Sequence, residues 1–292
     1  MASVAIEQPD RRIPWRAAFA RGGMLAAVAV ALYALWESFR WIGETTGLKI
    51  GTFVVDDKTF PHLHNIVGQL FEPSRRNGPL LIEVLWDAAL FTAKEAAVGF
   101  ALGASIGFVL GVLLAHSRLL QRGFLPYIVA SQTIPILAVA PMVVIWFGGR
   151  GFPDWFSVSI ISAYLTFFPV AINTLRGLTS VDPRALQLMR SYAANPLQIL
   201  WKLRMPSSLP YLFAAFKISA TASVVGAIIG ELPASIQDGL GGAILNFNQY
   251  YSSTPENLWA TNLIAAALGI TFFLVVVAAE KLVVRRAPEN VA

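Results

Sequence analysis

The sequence predicts an all-α protein that crosses a membrane six times. Hydrophobic residues make up 56% of the 292-residue chain and charged residues only 13%, against about 25% charged in a soluble domain. The charges are also segregated, leaving six apolar runs near the ~20 residues that a crossing needs. Lys and Arg gather in alternate connections, the pattern of loops retained on the cytoplasmic side.

Residues 1–21 form a basic arm with Arg11, Arg12, Arg16 and Arg21. The first span runs from about Gly22 to Ile42, with Glu37 and Arg40 near its outer end. Basic-then-apolar order imitates a signal peptide. However, Tyr33, Leu35 and Trp36 stand where a small-residue cleavage site would be, so an uncleaved span is expected. Residues 22–90 thus hold this span and an external connection. The connection, Gly43 to Leu90, carries mixed charge with Pro61 and Pro73, and closes in a short helix at Leu80–Leu90.

The core domain is expected over residues 91–284. Its second span covers about Phe91 to Ala115, followed by Arg118 and Arg122 in a basic connection. The third covers about Leu125 to Gly148 and the fourth Trp155 to Leu175. A basic loop, residues 176–210, leads to the fifth span at about Leu209 to Gly230. The next connection, Leu232 to Asn257, has no Lys or Arg but holds Asp238 and Glu256. The sixth span is about Leu258 to Val277. Lys281 follows it, and the tail, residues 285–292, opens with Arg285 and Arg286. Both termini and the 176–210 loop are therefore placed in the cytoplasm.

The net charge of +5 reflects this topology. Nucleic-acid binding would need a basic face interleaved with aromatics in a soluble domain, and none is present. The chain has no cysteine, which excludes disulfides and thiol chemistry. No GxxxxGK[ST] phosphate loop occurs, so the chain itself is not expected to hydrolyse ATP. His62 and His64 form an HxH, but no third or fourth ligand lies nearby in sequence. They read as solvated histidines, and no metal site is expected. His116 falls at a span boundary. Three histidines so placed support no Ser/His/Asp constellation, and a non-catalytic subunit is expected.

The 176–210 loop is longer than a turn between spans requires. Asp182 can cap a helix that starts at Pro183, since proline leaves no first-turn N–H unpaired. Ala185, Leu188, Met189 and Tyr192 then fall at i, i+3, i+4 and i+7 as one apolar stripe. Asn195-Pro196 ends this helix and begins another. A sticky face outside the bilayer needs either a protein partner or the headgroup layer.

Polar residues inside spans mark pathway candidates, because they are costly unless they face protein or water. Ser131, Gln132 and Thr133 precede Pro135, which can bend the third span. Tyr164 and Asn173 lie on the fourth span, Thr221 and Ser223 on the fifth. For the hydroxyl residues, plain helix packing is the competing explanation. Lys217 lies about two turns into the fifth span, where it either snorkels or lines a vestibule. Glu231 ends that span, although the macrodipole disfavours a carboxylate at a helix C-terminus. A partner for it is sought in a backbone nest at Gly239–Gly242 or on a docked protein. No mid-span Asp or Glu is expected beyond Glu37.

The loop also carries a resemblance. Arg190-Ser191-Tyr192-Ala193-Ala194 and Leu203-Arg204-Met205-Pro206 resemble the EAA loop of bacterial ATP-binding-cassette (ABC) importer permeases. The spacing to the proline is kept, while Gln187-Leu188-Met189 stand for E-A-A and Ala193 for the glycine. Ser131 to Gly148, Phe168-Pro169, Asn173-Thr174, Gly177, Gly230-Glu231 and Gly239-Leu240-Gly241 are similar to the nitrate, sulfonate and taurine permease group. The stretch after Gly230 looks more like permeases for thiamine-precursor pyrimidines or riboflavin.

This resemblance implies the type I ABC importer permease fold, with a cytoplasmic coupling helix, in a bacterial inner membrane. It implies two separate ATPase subunits that bind ATP and Mg, with no cofactor in this chain. A second permease subunit, another copy of this chain, and an extracytoplasmic binding protein complete the complex. Leu186, Met189, Arg190, Tyr192, Ala193 and Ala194 are then the ATPase-coupling candidates. Ser131, Gln132, Thr133, Tyr164, Asn173, Thr221 and Ser223 are the translocation candidates. Glu231, Gly239 and Gly241 are candidates for an external gate or binding-protein contact. A stand-alone secondary transporter is the rival, and would show paired halves and intramembrane carboxylates.

Overall fold

Why each apolar run becomes a helix, and where it stops, follows from its breakers. The computed structural model describes residues 14–47, 49–50, 53–54, 59–75, 77–234 and 236–284. They belong to two compact units, Met1–Val67 and Gly68–Ala292.

In the first unit, α1 runs over Pro14–Thr46. The expected arm thus turns helical at Pro14 rather than Gly22, since proline suits a first turn and no breaker follows it. The residues before Pro14, with Arg11 and Arg12, and the tail from Arg285 lie outside the described residues. A two-residue antiparallel ladder pairs β1 (Lys49–Ile50) with β2 (Phe53–Val54), and α2 covers Leu63–Gln69.

The second unit opens with α3 (Leu81–His116). The expected short helix at Leu80–Leu90 and the second span are one element, because no proline separates them. Thirty-six residues at about 1.5 Å each make about 54 Å. That exceeds the ~30 Å hydrocarbon layer, so α3 tilts or projects beyond it. Ser117 turns the chain sharply into α4 (Arg118–Ser131), its hydroxyl accepting from Leu120 N–H at 3.3 Å.

The third apolar run is not one straight helix. α4 and α5 (Ile136–Gly148) meet at 98° across residues 132–135. Pro135 lacks an N–H and forces the preceding residue out of helical geometry. The Ser131 and Thr133 hydroxyls bond back to the Ile128 and Ala130 carbonyls, both at 2.8 Å, and so satisfy the frayed end.

α6 (Asp154–Thr179) is the central helix, with α3 on one side and α9 (Met205–Ala234) on another. Gly99, Gly103, Gly107 and Gly111 recur every fourth residue on α3 and share one face. A Cβ at Gly103 would stand 2.4 Å from the Ala163 carbonyl oxygen, and one at Gly107 2.4 Å from that of Phe167. In lipid no hydrophobic force pulls helices together, so close backbone approach and dispersion hold this seam. Between α6 and α9, Ser162 Oγ donates to the Ser223 carbonyl at 2.8 Å and Ser219 Oγ to that of Thr166 at 3.1 Å.

The remaining elements are α7 (Pro183–Ser191), α8 (Pro196–Ile199), α10 (Leu240–Gln249) and α11 (Pro255–Val283). One π-helical turn, Leu200–Arg204, joins α8 to α9. α9 continues past the expected end at Gly230 to Ala234, with Pro233 inside its last turn. The Lys217 Nζ lies 3.0 Å from Glu280 Oε2, a partly exposed ion pair that ties α9 to α11. Among the described residues, five helices are long and apolar enough to cross a membrane, or six if bent α4–α5 counts as one span.

Candidate functional site

Three places gather the candidate residues. The first is the loop around α7. Asp182 caps it as the sequence suggests, accepting from Arg184 N–H at 2.8 Å. The helix ends in a paired turn. Ala193 N–H donates to the Arg190 carbonyl at 2.9 Å and Ala194 N–H to that of Met189 at 3.1 Å. Those two bonds make a Schellman cap, which needs a left-handed residue at its centre. Ala193 supplies it, with φ at 52°. Asn195 and Gln198 then cap α8 reciprocally at 2.8 and 2.9 Å.

α7 has no buried residue. Leu188 is 58% and Tyr192 79% exposed, followed by exposed Leu197 and Trp201. Met189 is half-buried. Leu186, Arg190 and Ala194 face the other way, into a cavity of about 760 Å³ under the ends of α3, α4 and α6. Arg118, Arg204 and His116 line it too, with no carboxylate among them. The coupling candidates are thus divided between an outward apolar face and an inward basic one.

The second place is the break between α4 and α5. Ser131, Gln132 and Tyr164 border a cavity of about 310 Å³ with Pro135, Phe167 and Phe168. The Tyr164 hydroxyl donates to the Ser131 carbonyl. Thr133, next to this cavity in sequence, is committed to its own turn. The other three translocation candidates lie elsewhere. Asn173 donates to the Pro169 carbonyl at 2.8 Å, and Thr221 to that of Ile218 at 2.8 Å, each within its own helix. Ser223 is fully buried in the α6–α9 seam, where a small side chain lets the helices approach.

The third place surrounds Glu231. It is fully buried, not a solvated helix end. The Thr92 hydroxyl donates to Oε1 at 2.6 Å, and Gly241 N–H to Oε2 at 2.5 Å. Thr92 Oγ1 accepts in turn from Leu240 N–H at 2.9 Å. The carboxylate therefore sits at the N-terminus of α10, where backbone donors and dipole favour negative charge. Gly239 and Gly241 make room, since a Cβ at Gly239 would fall 2.3 Å from the Glu231 carboxyl carbon. The expectation of no mid-span carboxylate is corrected by Glu95, fully buried on α3 beside Glu231. Among the described residues, neither of its oxygens meets an N–H or hydroxyl donor, and its carboxyl faces that of Glu231. The signal for it was a Lys94-Glu95 pair inside an apolar run. Lys94 turns aside onto the Trp155 ring, 4.1 Å from its centroid.

The family described as "Binding-protein-dependent transport system inner membrane component" matches residues 107–287. The chain belongs to this family. The permease is 33% identical over 202 residues to the riboflavin transport system permease protein RibX of Chloroflexus aurantiacus, covering 69% of this chain and 73% of that protein. It is 34% identical over 145 residues to the formylaminopyrimidine transport permease protein ThiX of Halalkalibacterium halodurans, covering 50% and 56%. It is also 28% identical over 268 residues to the putative aliphatic sulfonates transport permease protein SsuC of Bacillus subtilis, covering 92% and 87%. The crystal structure titled an amino acid ABC transporter with histidines superposes with a TM-score of 0.57. It is 15% identical and covers 69% of this chain and 95% of that one. The likeness shows a shared fold, that of ABC importer permeases.

One departure of this permease from its family pattern has a structural cost. The glycine of the EAA pattern aligns with Ala193, the residue that the Schellman cap holds at positive φ. A Cβ there costs on the order of 1 kcal/mol. Ala193→Gly should therefore raise thermal stability in detergent by about that amount. A lower melting temperature than wild type would show that Ala193 makes contacts worth more than the strain.

Proposed function

We propose that two copies of this permease form the membrane pathway of an ATP-driven importer. Two separate ATPase subunits bind ATP and Mg and dock on α7, and a binding protein delivers the solute from outside. Both termini and α7 then lie in the cytoplasm, on the basic side of the bundle. The observation that carries this proposal is the uncovered face of Leu188 and Tyr192, on a helix with no buried residue.

For the solute, we propose a small heterocycle such as a pyrimidine thiamine precursor or a riboflavin-like ring. The cavity at the α4–α5 break supports this: it offers Tyr164, Phe167 and Phe168 faces with Gln132 and Ser131, and no Lys or Arg. Relatives named for riboflavin and formylaminopyrimidine support it as well. A sulfonate, taurine or nitrate is the second reading, favoured by the aliphatic sulfonates relative, whose match covers 92% of this chain.

Leu188→Asp tests the docking. The carboxylate would be buried without a partner at several kcal/mol. At about 1.4 kcal/mol per tenfold, ATPase binding should fall by orders of magnitude. The variant should reach the membrane at wild-type level, lose the co-purifying ATPase and lose uptake. Leu188→Met, which keeps the apolar face, should retain both. Normal uptake by Leu188→Asp would leave α7 as a headgroup-layer helix and end the docking proposal.

A further inference from the structure

The first unit holds a cluster that the transport reading does not use. Phe60 packs edge-on against both Trp36 and Phe39 of α1, with ring centroids 5.4 Å apart in each pair. Trp36 and Phe39 are three residues apart and share a helix face. Trp36 Nε1 also donates to the Pro61 carbonyl at 3.3 Å. These contacts pin Phe60 and Pro61 onto α1 and bring the next residue, His62, to Glu37. His62 Nδ1 lies 2.9 Å from Glu37 Oε2. His64, two residues on, places its ring 4.8 Å from that of His62 at 30°. One donor atom from each of Glu37, His62 and His64 lies within 4.8 Å of the others. Glu37 Oε1 is buried and has no hydrogen-bond partner among the described residues.

We propose that Glu37, His62 and His64 bind a divalent transition-metal ion, with Zn²⁺ as the best fit. Two imidazoles and a carboxylate are a donor set that Zn²⁺ takes in four-coordinate sites, water supplying the fourth position. Bonds of about 2.0–2.1 Å set tetrahedral donors about 3.3 Å apart. The Glu37–His62 pair is already near that spacing. His64 is exposed and makes no hydrogen bond among the described residues, so its ring is free to swing in. The orphaned Glu37 oxygen gives the carboxylate a second point of approach to the ion. Mg²⁺ prefers an all-oxygen octahedron and does not suit this set. The bound ion would clip the segment before α2 to the C-terminal half of α1. The separation in sequence, 25 residues between Glu37 and His62, is why the HxH alone showed no third ligand. The inference does not depend on the importer proposal.

The test uses the purified full-length chain in detergent, with any polyhistidine tag removed. Zn²⁺ is titrated against a chromophoric chelator, and Co²⁺ serves as a spectroscopic probe. Wild type should take up one Zn²⁺ per chain at micromolar free metal, and Co²⁺ should give the intense visible bands of four-coordinate geometry. His64→Ala and Glu37→Gln should each weaken Zn²⁺ binding by at least the ~10–100-fold that losing a supporting group costs. His64→Ala should leave the metal-free melting temperature unchanged, because the side chain is exposed. His116→Ala should bind as wild type does. Uptake of Mg²⁺ with equal affinity, no Zn²⁺ retained by wild type, or equal affinity in His64→Ala would each overturn the site. Glu37 and His62 would then be a hydrogen-bonded pair alone.

Discussion

Gly103→Ala should destabilise the permease by more than the ~1–3 kcal/mol usual for overpacking. The added Cβ would stand 2.4 Å from the Ala163 carbonyl oxygen and 2.7 Å from Thr166 Cβ. The first obstacle is backbone, which no rotamer change can move. Relief requires α3 and α6 to part along the whole seam, and dispersion at close range is what holds them. The same substitution at Gly269 on α11, where nothing lies within 4 Å, should be neutral or slightly stabilising through helix propensity. In detergent, Gly103→Ala should therefore melt well below wild type and Gly269→Ala at or slightly above it. Similar melting temperatures would mean that the glycine face does not set the α3–α6 distance.

Glu231→Ala should have an effect of similar size for a different reason. It removes the acceptor for the Thr92 hydroxyl and for Gly241 N–H, both buried. Each orphaned donor costs about 1–3 kcal/mol, and a side-chain void adds to that. The loss falls on the anchorage of α10, so protease sensitivity should rise between Ala234 and Thr254 before the rest unfolds. Glu231→Gln keeps one carbonyl acceptor and brings an amide donor toward the unpaired oxygens of Glu95. It leaves one of the two donors without an acceptor, so its melting temperature should fall between those of wild type and Glu231→Ala. A Glu231→Ala protein that melts with wild type, and resists protease equally, would remove Glu231 from this role.

The features most legible in the sequence are the local ones. Apolar runs of span length report the solvent that each segment meets. Asp182 with Pro183, and Asn195 with Pro196, mark helix starts because capping is settled within four residues. The apolar stripe of α7 was readable for the same reason, and its outward Leu188 and Tyr192 belong to it. The Gly99–Gly111 face was not read from the sequence, where nothing says which helix such a face would meet. Glu95 was likewise missed, although an ionisable residue inside an apolar run is itself a signal of a protein-facing role. Glu231 was singled out at the end of its span, but its place beside Glu95 was not readable, since 136 positions separate them in sequence.

What the sequence determined by itself is the class: a multi-pass helical membrane protein of the binding-protein-dependent permease family, with a capped amphipathic helix between two spans. Composition, periodicity and capping are properties of short windows, and they survive without knowledge of the rest of the chain. Only the tertiary structure decided that α4 and α5 break at 98°, that Ser223 belongs to a seam while Gln132 borders a cavity, and that Lys217 pairs with Glu280. It also decided that Glu231 meets Thr92 across 139 residues. Those outcomes depend on which helix faces lie against each other. In lipid that choice is made by backbone approach and polar pairing between distant segments, for which hydrophobic pattern carries no record.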